Sequence, residues 1–236
     1  MATLAQTLIA DVIALFYPRT CICCRQALLK QEEFICRNCE ADLPQTNNIV
    51  DSENALTKRF TGRIPLQGAA AFYQFRKEGP VQELLHNLKY KGRQEIGKAI
   101  GELFGTRMSE PASVIKNVDL VVPVPLHWKK ERKRGYNQCS TFATAIAESI
   151  GTKVSFTALE RVHENISQTT QSRFDRYNNV AEIFAVKEEK QLAGKHILLV
   201  DDVVTTGATA EACLKTILTV NNTRVSFAAI AAAARY

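Results

Sequence analysis

The sequence predicts an α/β domain with a mainly parallel sheet, preceded by a small cysteine-rich module. Three observations carry this. From Ile64 onward, apolar runs rich in Val, Ile and Leu alternate with amphipathic stretches of helical length. His196–Val200 (HILLV) is apolar on both faces, as a strand inside a parallel sheet must be. Five of the 7 cysteines fall within Cys21–Cys39, ahead of that alternation.

The elements follow in chain order. Leu4–Phe16 reads as an amphipathic helix. It lacks a basic leading region and carries Asp11 at its centre, which argues against a cleaved leader, and no run approaches the length of a membrane span. Residues 1–44 hold this helix and the cysteine cluster. Residues 45–63 are polar, mixed in charge and weakly periodic, and are expected to form a linker or an exposed excursion. Residues 64–236 form the main domain. Its expected strands are Ala69–Phe75, Leu120–Val124, Lys153–Leu159, Glu182–Val186, His196–Val200 and Arg224–Ala233. Its expected helices are Pro80–Leu88, Gln94–Met108, Asn137–Gly151, Ser167–Asn178 and Thr209–Val220. Gly79-Pro80 punctuates one helix start, and Gly151 sits where a C-terminal cap belongs.

Composition narrows the class. In 236 residues, 46% are hydrophobic and 23% charged, enough to bury a sizeable core and too apolar for a disordered chain. The net charge of +6 is a mild lean towards anionic partners, phosphates as readily as nucleic acid. Clustered cysteines in a chain expected to stay inside the cell point to metal rather than disulfides.

The paired spacing Cys21-x-x-Cys24 and Cys36-x-x-Cys39, with 11 residues between the pairs, fits two knuckles closing a tetrahedral S₄ site for structural Zn²⁺. The segment has too little apolar content to fold on its own, so a metal would supply the missing stability. Cys23 could replace Cys24 in principle, but the symmetry of the spacing favours Cys24; a redox site is the competing reading of these thiols, and the paired knuckles favour zinc. Four thiolates leave no open coordination position, so no catalysis is assigned to this site.

The most informative segment follows His196–Val200. Two acids, Asp201 and Asp202, lie at the strand's carboxyl end, then Val203, Val204, Thr205, Thr206, Gly207, Ala208 and Thr209 lead into a helix. Ligands bind outside the carboxyl ends of strands in open α/β sheets. Gly207 permits a tight turn, and the amides of Thr205–Thr209 can converge on an anion at the helix N-terminus. Acids repel a phosphate but suit the two hydroxyls of a vicinal diol, or a Mg²⁺ ion bridging to the sugar. The pattern therefore reads as a phosphorylated-ribose site; it has neither GxxxxGK[ST] nor GxGxxG.

Upstream, Val121–Leu126 (VVPVPL) ends a strand in a stiff turn. His127–Gln138 then carries five basic residues against the single Glu131. These cations can hold a second, more highly charged anion, with Arg132 and Arg134 better matched to phosphate oxygens than the lysines. A solvated charge run or a single-strand nucleic-acid surface, with Trp128 and Tyr136 stacking bases, are the other readings of the same residues. Leu88–Arg93 (LKYKGR) is a shorter basic patch. Arg161–Asn178 is a third segment, whose amide-rich start can cover a bound anion.

VDDVVTTGAT at Val200–Thr209 resembles the phosphoribosyl pyrophosphate (PRPP) signature of type I phosphoribosyltransferases. The ordered set of cysteine cluster, LKYKGR, PVPLHWKKERKRGYNQ, TTQSRFDRYNN and VDDVVTTGAT resembles the ComF family of bacterial competence proteins. The resemblance implies a type I phosphoribosyltransferase-like domain and a role in uptake of transforming DNA. It implies that Asp201 and Asp202 hold the ribose hydroxyls and serve any transfer step. Thr205, Thr206, Gly207, Ala208 and Thr209 would wrap the 5′-phosphate, and Arg132, Arg134 and Asn137 would line the pyrophosphate side, with Mg²⁺ accompanying PRPP. The implied partners are PRPP or a related ribose phosphate, single-stranded DNA, and other competence proteins such as a DNA-translocating helicase. The implied location is the cytoplasm, or the inner face of the membrane through such partners. Two functions stay open: Mg²⁺-dependent phosphoribosyl transfer, or single-strand binding in which PRPP is a regulatory ligand.

Overall fold

The computed structural model describes residues 18–163 and 183–234. The helix expected at Leu4–Phe16 and that at Ser167–Asn178 lie outside the described residues. Five strands form one parallel sheet in the order β1-β7-β6-β2-β3. They are β1 (Leu66–Phe75), β2 (Leu120–Pro123), β3 (Lys153–Val154), β6 (His196–Val204) and β7 (Arg224–Ala233). A separate antiparallel pair consists of β4 (Leu159–Arg161) and β5 (Phe184–Val186).

Successive residues of the central strands enter opposite layers, as the pleat requires. Leu198, Val200, Ala228 and Ile230 face one core, together with the helices α3 (Pro80–Tyr90), α4 (Glu95–Met108) and α6 (Ser140–Ser149). Ile197, Leu199, Phe227 and Ala229 face the other, with α8 (Ala208–Leu218) and α2 (Ala55–Phe60). Burial on both faces is why these strands read as continuous apolar runs.

Gly97, Gly101 and Gly105 recur every four residues along α4, so they line one stripe of the helix. A β-carbon built on Gly101 would lie 2.7 Å from Ala145 Cβ and 2.8 Å from the carbonyl oxygen of Phe142. The stripe therefore lets α6 press directly against α4, which sets the height of α6 over the sheet.

The expected strand Lys153–Leu159 is divided. Ser155 Oγ accepts hydrogen bonds from the amides of Thr157 (3.4 Å) and Ala158 (3.1 Å). This local turn competes with a continuous ladder and separates β3 from β4. The basic run, for which the sequence predicts no element before Asn137, contains the short helix α5 (Trp128–Arg134). Buried His127 caps it by accepting from the Lys129 amide at 3.4 Å, and Gly135 ends it at φ +84°. A four-residue helix, α7 (Glu189–Leu192), precedes β6.

Residues 45–63, expected as a linker, are bound to the sheet along much of their length. The Thr46 amide donates to the Phe72 carbonyl (2.9 Å) and the Gln74 amide to Pro44 (2.8 Å), which covers the outer edge of β1. Asn54, 2% exposed, caps α2 by accepting from the amides of Leu56 and Thr57, and its amide nitrogen donates to Ala69 on β1. Leu56 and Phe60 are then buried in the second core layer. Most polar side chains of the segment face water, but those of Asn54 and Arg59 are buried and bond to backbone.

The cysteine segment also joins the main core. Ile22, Phe34, Ile35 and Leu43 are buried with Tyr73, Leu84 and Ile100. Its only helix among the described residues is α1 (Arg37–Ala41), whose N-cap is Cys36.

Candidate functional site

From β2 the chain proceeds to β3, and from β6 it proceeds the opposite way to β7. The sheet's switch point is therefore the crevice between the carboxyl ends of β2 and β6, where such sheets place ligands. Pairing of β2 with β6 stops at Pro123↔Val200, while β6 stays paired with β7 through Val204↔Ala232. Asp201 and Asp202 thus lie inside an elongated β6, at the point where one of its neighbours has ended. Sequence periodicity ended the strand too early here, because acids do not look like strand interior.

Asp202 is 3% exposed. Its Oδ1 meets Lys89 Nζ at 2.9 Å, and its buried Oδ2 has no hydrogen-bond partner among the described residues. Asp201 Oδ1 accepts from the Asp202 amide (2.8 Å) and from Cys139 Sγ (3.6 Å). Burial, and next the Asp202 charge, push the Asp201 carboxyl up to about 7. Burial and the two acids likewise raise the Cys139 thiol well above its ordinary range, so it stays a thiol and a donor. The sulfur and the two carboxylates lie within 4.8 Å of one another. A buried carboxylate oxygen with an open lone pair is costly unless a donor or cation reaches it. This constellation is suited to a ligand that brings hydroxyls or a hard cation.

Beyond Val204 the chain turns at Thr205, Thr206 and Gly207. Gly207 has φ +88° and forms the N-cap of α8, with Ala208 and Thr209 in the first turn. A β-carbon at Gly207 would face the Phe60 ring at 3.4 Å, so both the left-handed conformation and the close approach call for glycine. Thr205, Thr206, Ala208 and Thr209 are exposed, so this helix end is open to an anion.

The basic residues divide. Asn137 bridges the two sides of the crevice's floor: its side chain donates to the Val124 carbonyl (3.0 Å) and accepts from the Cys139 amide (3.0 Å). Arg134 lies over the Tyr90 ring at 5.1 Å and bonds Gln138. Arg132 is exposed on α5. Lys89, Tyr90, Lys130, Lys133, Arg134 and Tyr136 line a cavity of about 370 Å³ beside the Lys89–Asp202 pair. The structure therefore gathers LKYKGR and the α5 basics on one wall. Three contributors had no role in the sequence reading: Lys89 as counter-charge, Cys139 under Asp201, and Arg59 behind the loop. LKYKGR marks Lys89 only as one cation of a basic patch, and nothing local marks Cys139 or Arg59, since each is recruited across the fold.

The cysteines have the geometry of a metal centre. The sulfurs of Cys21, Cys24, Cys36 and Cys39 all lie within 4.8 Å of one another, with Cys24 and Cys36 3.7 Å apart. A tetrahedral zinc with bonds of about 2.3 Å separates its sulfurs by roughly 3.8 Å. The Cys36 amide also points at Cys21 Sγ (3.4 Å) and the Cys39 amide at Cys36 Sγ (3.5 Å). Such N–H···S contacts favour thiolates. These four residues could hold a structural zinc. Cys23 Sγ instead faces the Pro80 carbonyl at 3.9 Å, outside the group.

Comparison with known proteins agrees with this layout. The family model for the phosphoribosyl transferase domain matches residues 137–236, from Asn137 through β7. The chain is 31% identical over 132 residues to the DNA utilization protein YhgH of Salmonella typhimurium, covering 55% of this chain and 57% of that protein. It is 26% identical over 133 residues to competence protein F of Haemophilus influenzae, covering 55% and 58%. Against competence protein ComFC of Bacillus subtilis the identity is 28% over 193 residues, covering 81% of this chain and 74% of that one. The chain thus spans a little over half the length of YhgH and of competence protein F. With a parallel sheet whose switch point carries the acid pair and the loop, this chain is similar to competence protein F and ComFC, and its residues 137–236 match the phosphoribosyl transferase domain.

Proposed function

We propose that the crevice between β2 and β6 binds PRPP, or a close ribose phosphate, together with Mg²⁺, and that this binding serves DNA uptake. The observation that carries the reading is Asp202. Its Oδ2 is buried and without a partner among the described residues, it stands beside Asp201, and an open helix N-terminus begins six residues later. A diol donates to the acids while the 5′-phosphate accepts from the amides of Thr205, Thr206, Gly207, Ala208 and Thr209. The pyrophosphate lies towards Asn137, Arg134 and Arg132, with Mg²⁺ supplying countercharge. If transfer occurs, the protein's work is to position the two anions and to stabilise the leaving pyrophosphate. The role in competence rests on the relatives named competence protein F and ComFC.

Titration of wild type, Asp201→Ala and Asp202→Ala with PRPP and Mg²⁺ tests this. Each variant should bind at least tenfold more weakly, since each loses hydrogen bonds to a charged acceptor worth about 1.5–3 kcal/mol. Equal affinity in the three proteins overturns the site.

The cavity walled by Lys89, Tyr90, Lys130, Lys133, Arg134 and Tyr136 favours a second reading. There the chain handles single-stranded DNA, other competence proteins such as a translocating helicase are its partners, and PRPP regulates without being consumed. Single-strand affinity should then fall steeply with salt, and salt-insensitive binding refutes it.

A further inference from the structure

Arg59 belongs to α2, in the polar segment ahead of the domain, yet the residue is 6% exposed and its guanidinium ends behind the phosphate loop. Its Nη1 donates to the Thr205 carbonyl at 2.6 Å and reaches the Val204 carbonyl at 3.5 Å. Nη2 donates to the Ala233 carbonyl at the end of β7. Two neighbours reinforce the contact. The Phe60 ring lies against Gly207, and Arg63 pairs with Glu211 in the first turn of α8. Helix α2 and the turn that follows it therefore grip the carboxyl ends of β6 and β7, the loop and the start of α8.

The polarity of a peptide plane gives this grip a consequence. In a trans peptide the carbonyl of one residue and the amide of the next point in opposite directions, and the described chain has no cis bond. Carbonyls of Val204 and Thr205 turned inward to Arg59 leave the amides of Thr205 and Thr206 turned outward. Those are two of the donors a phosphate at this helix end requires. The guanidinium also sets a fixed positive charge directly behind the loop, where no side chain of the loop carries one.

We propose that Arg59 is a positioning residue: it holds the loop's carbonyls inward and so aims the Thr205 and Thr206 amides at the ligand's 5′-phosphate. This rests on the reading of Thr205–Thr209 as the phosphate loop. It adds that a residue far outside the matched domain presets the loop's donor direction before ligand arrives, lowering the reorganisation that binding requires. Planar geometry matters to this role, because one fork spans carbonyls from two strands.

Ribose 5-phosphate and inorganic pyrophosphate serve as separate probes. Arg59→Met should weaken ribose 5-phosphate binding at least tenfold while leaving pyrophosphate binding within twofold, because the pyrophosphate side is built from α5 and Asn137. Arg59→Lys, which keeps the charge but not the fork, should recover only part of the loss. A general collapse of the fold would lower both affinities together and would count against a positioning role. In the wild type alone, the Thr205 and Thr206 amides should exchange rapidly with solvent and become protected when ribose 5-phosphate is added. Protection before ligand is added overturns the proposal, as does wild-type affinity in Arg59→Met. A wild type that ignores ribose 5-phosphate, with its Thr205 and Thr206 amides exposed, instead overturns the phosphate-loop reading on which the proposal rests.

Discussion

Replacing Lys89 by methionine removes the cation from the buried acid pair and keeps the length of the side chain. Lys89 Nζ lies 2.9 Å from Asp202 Oδ1, with the two side chains 20% and 4% exposed. Removing one partner of a buried pair costs about 3–5 kcal/mol, mostly because the other charge is left uncompensated. The lysine's partial exposure places Lys89→Met near about 3 kcal/mol, since water already screens part of the attraction. With an m-value of about 3 kcal/mol/M, the urea midpoint should fall by about 1 M. The loss should depend on pH. Asp201 is pushed up to about 7 from an ordinary 3.8, so the fold favours its protonated form. The stabilisation tied to that proton is complete below about pH 3.8 and is lost as pH rises through about 7. The Lys89 charge opposes the upward shift, so its removal carries the folded value higher still. Urea unfolding followed by circular dichroism should therefore show a larger gap between wild type and Lys89→Met at pH 8 than at pH 5. Adding Asp202→Asn should recover most of the loss. A gap below about 1 kcal/mol at pH 8, or no recovery in the double variant, would refute Lys89 as the counter-charge.

Two further outcomes follow from the packing. Purified protein should carry one zinc per chain by elemental analysis, Cys24→Ser should lower that content and the melting temperature together, and Cys23→Ser should change neither; a metal-free wild type with an unchanged cysteine segment would remove the zinc assignment. Gly101→Ala should lower stability by about 1–3 kcal/mol despite alanine's higher helix propensity, because its methyl meets Ala145 and the fixed Phe142 backbone; a gain in unfolding midpoint would show that the α4–α6 contact is looser than the geometry requires.

Much of the fold was legible in the chain. Arg224–Ala233 reads as a strand and is β7, and the helices expected around Pro80, Gln94 and Thr209 lie within a residue or two of α3, α4 and α8. Long apolar runs between helical stretches leave few alternatives. Legibility failed where local chemistry contradicts global placement. Asp201 to Val204 belong to β6 although two acids stand among them, since β7 continues the ladder after β2 stops. Within residues 45–63, two buried residues read as solvent-facing like their neighbours, because a polar side chain that bonds buried carbonyls looks the same in sequence as one that meets water. Asn54 and Arg59 are the two that misled.

By itself the sequence determined which chemistries are present: a C-x-x-C pair of knuckles, an acid pair after a buried strand, a threonine-glycine turn into a helix, and two basic patches. Those are properties of short segments, decided by residue type and spacing within about a dozen positions. Only the tertiary structure decided which groups meet. It set Lys89 against Asp202, Cys139 against Asp201, Tyr90 under Arg134, and Arg59 behind Thr205, across separations of up to 146 residues. The cause is the parallel topology. Each crossover returns the chain to the same end of the sheet, so carboxyl-end loops far apart in sequence converge on one crevice, and strand order, which no local pattern encodes, selects the neighbours.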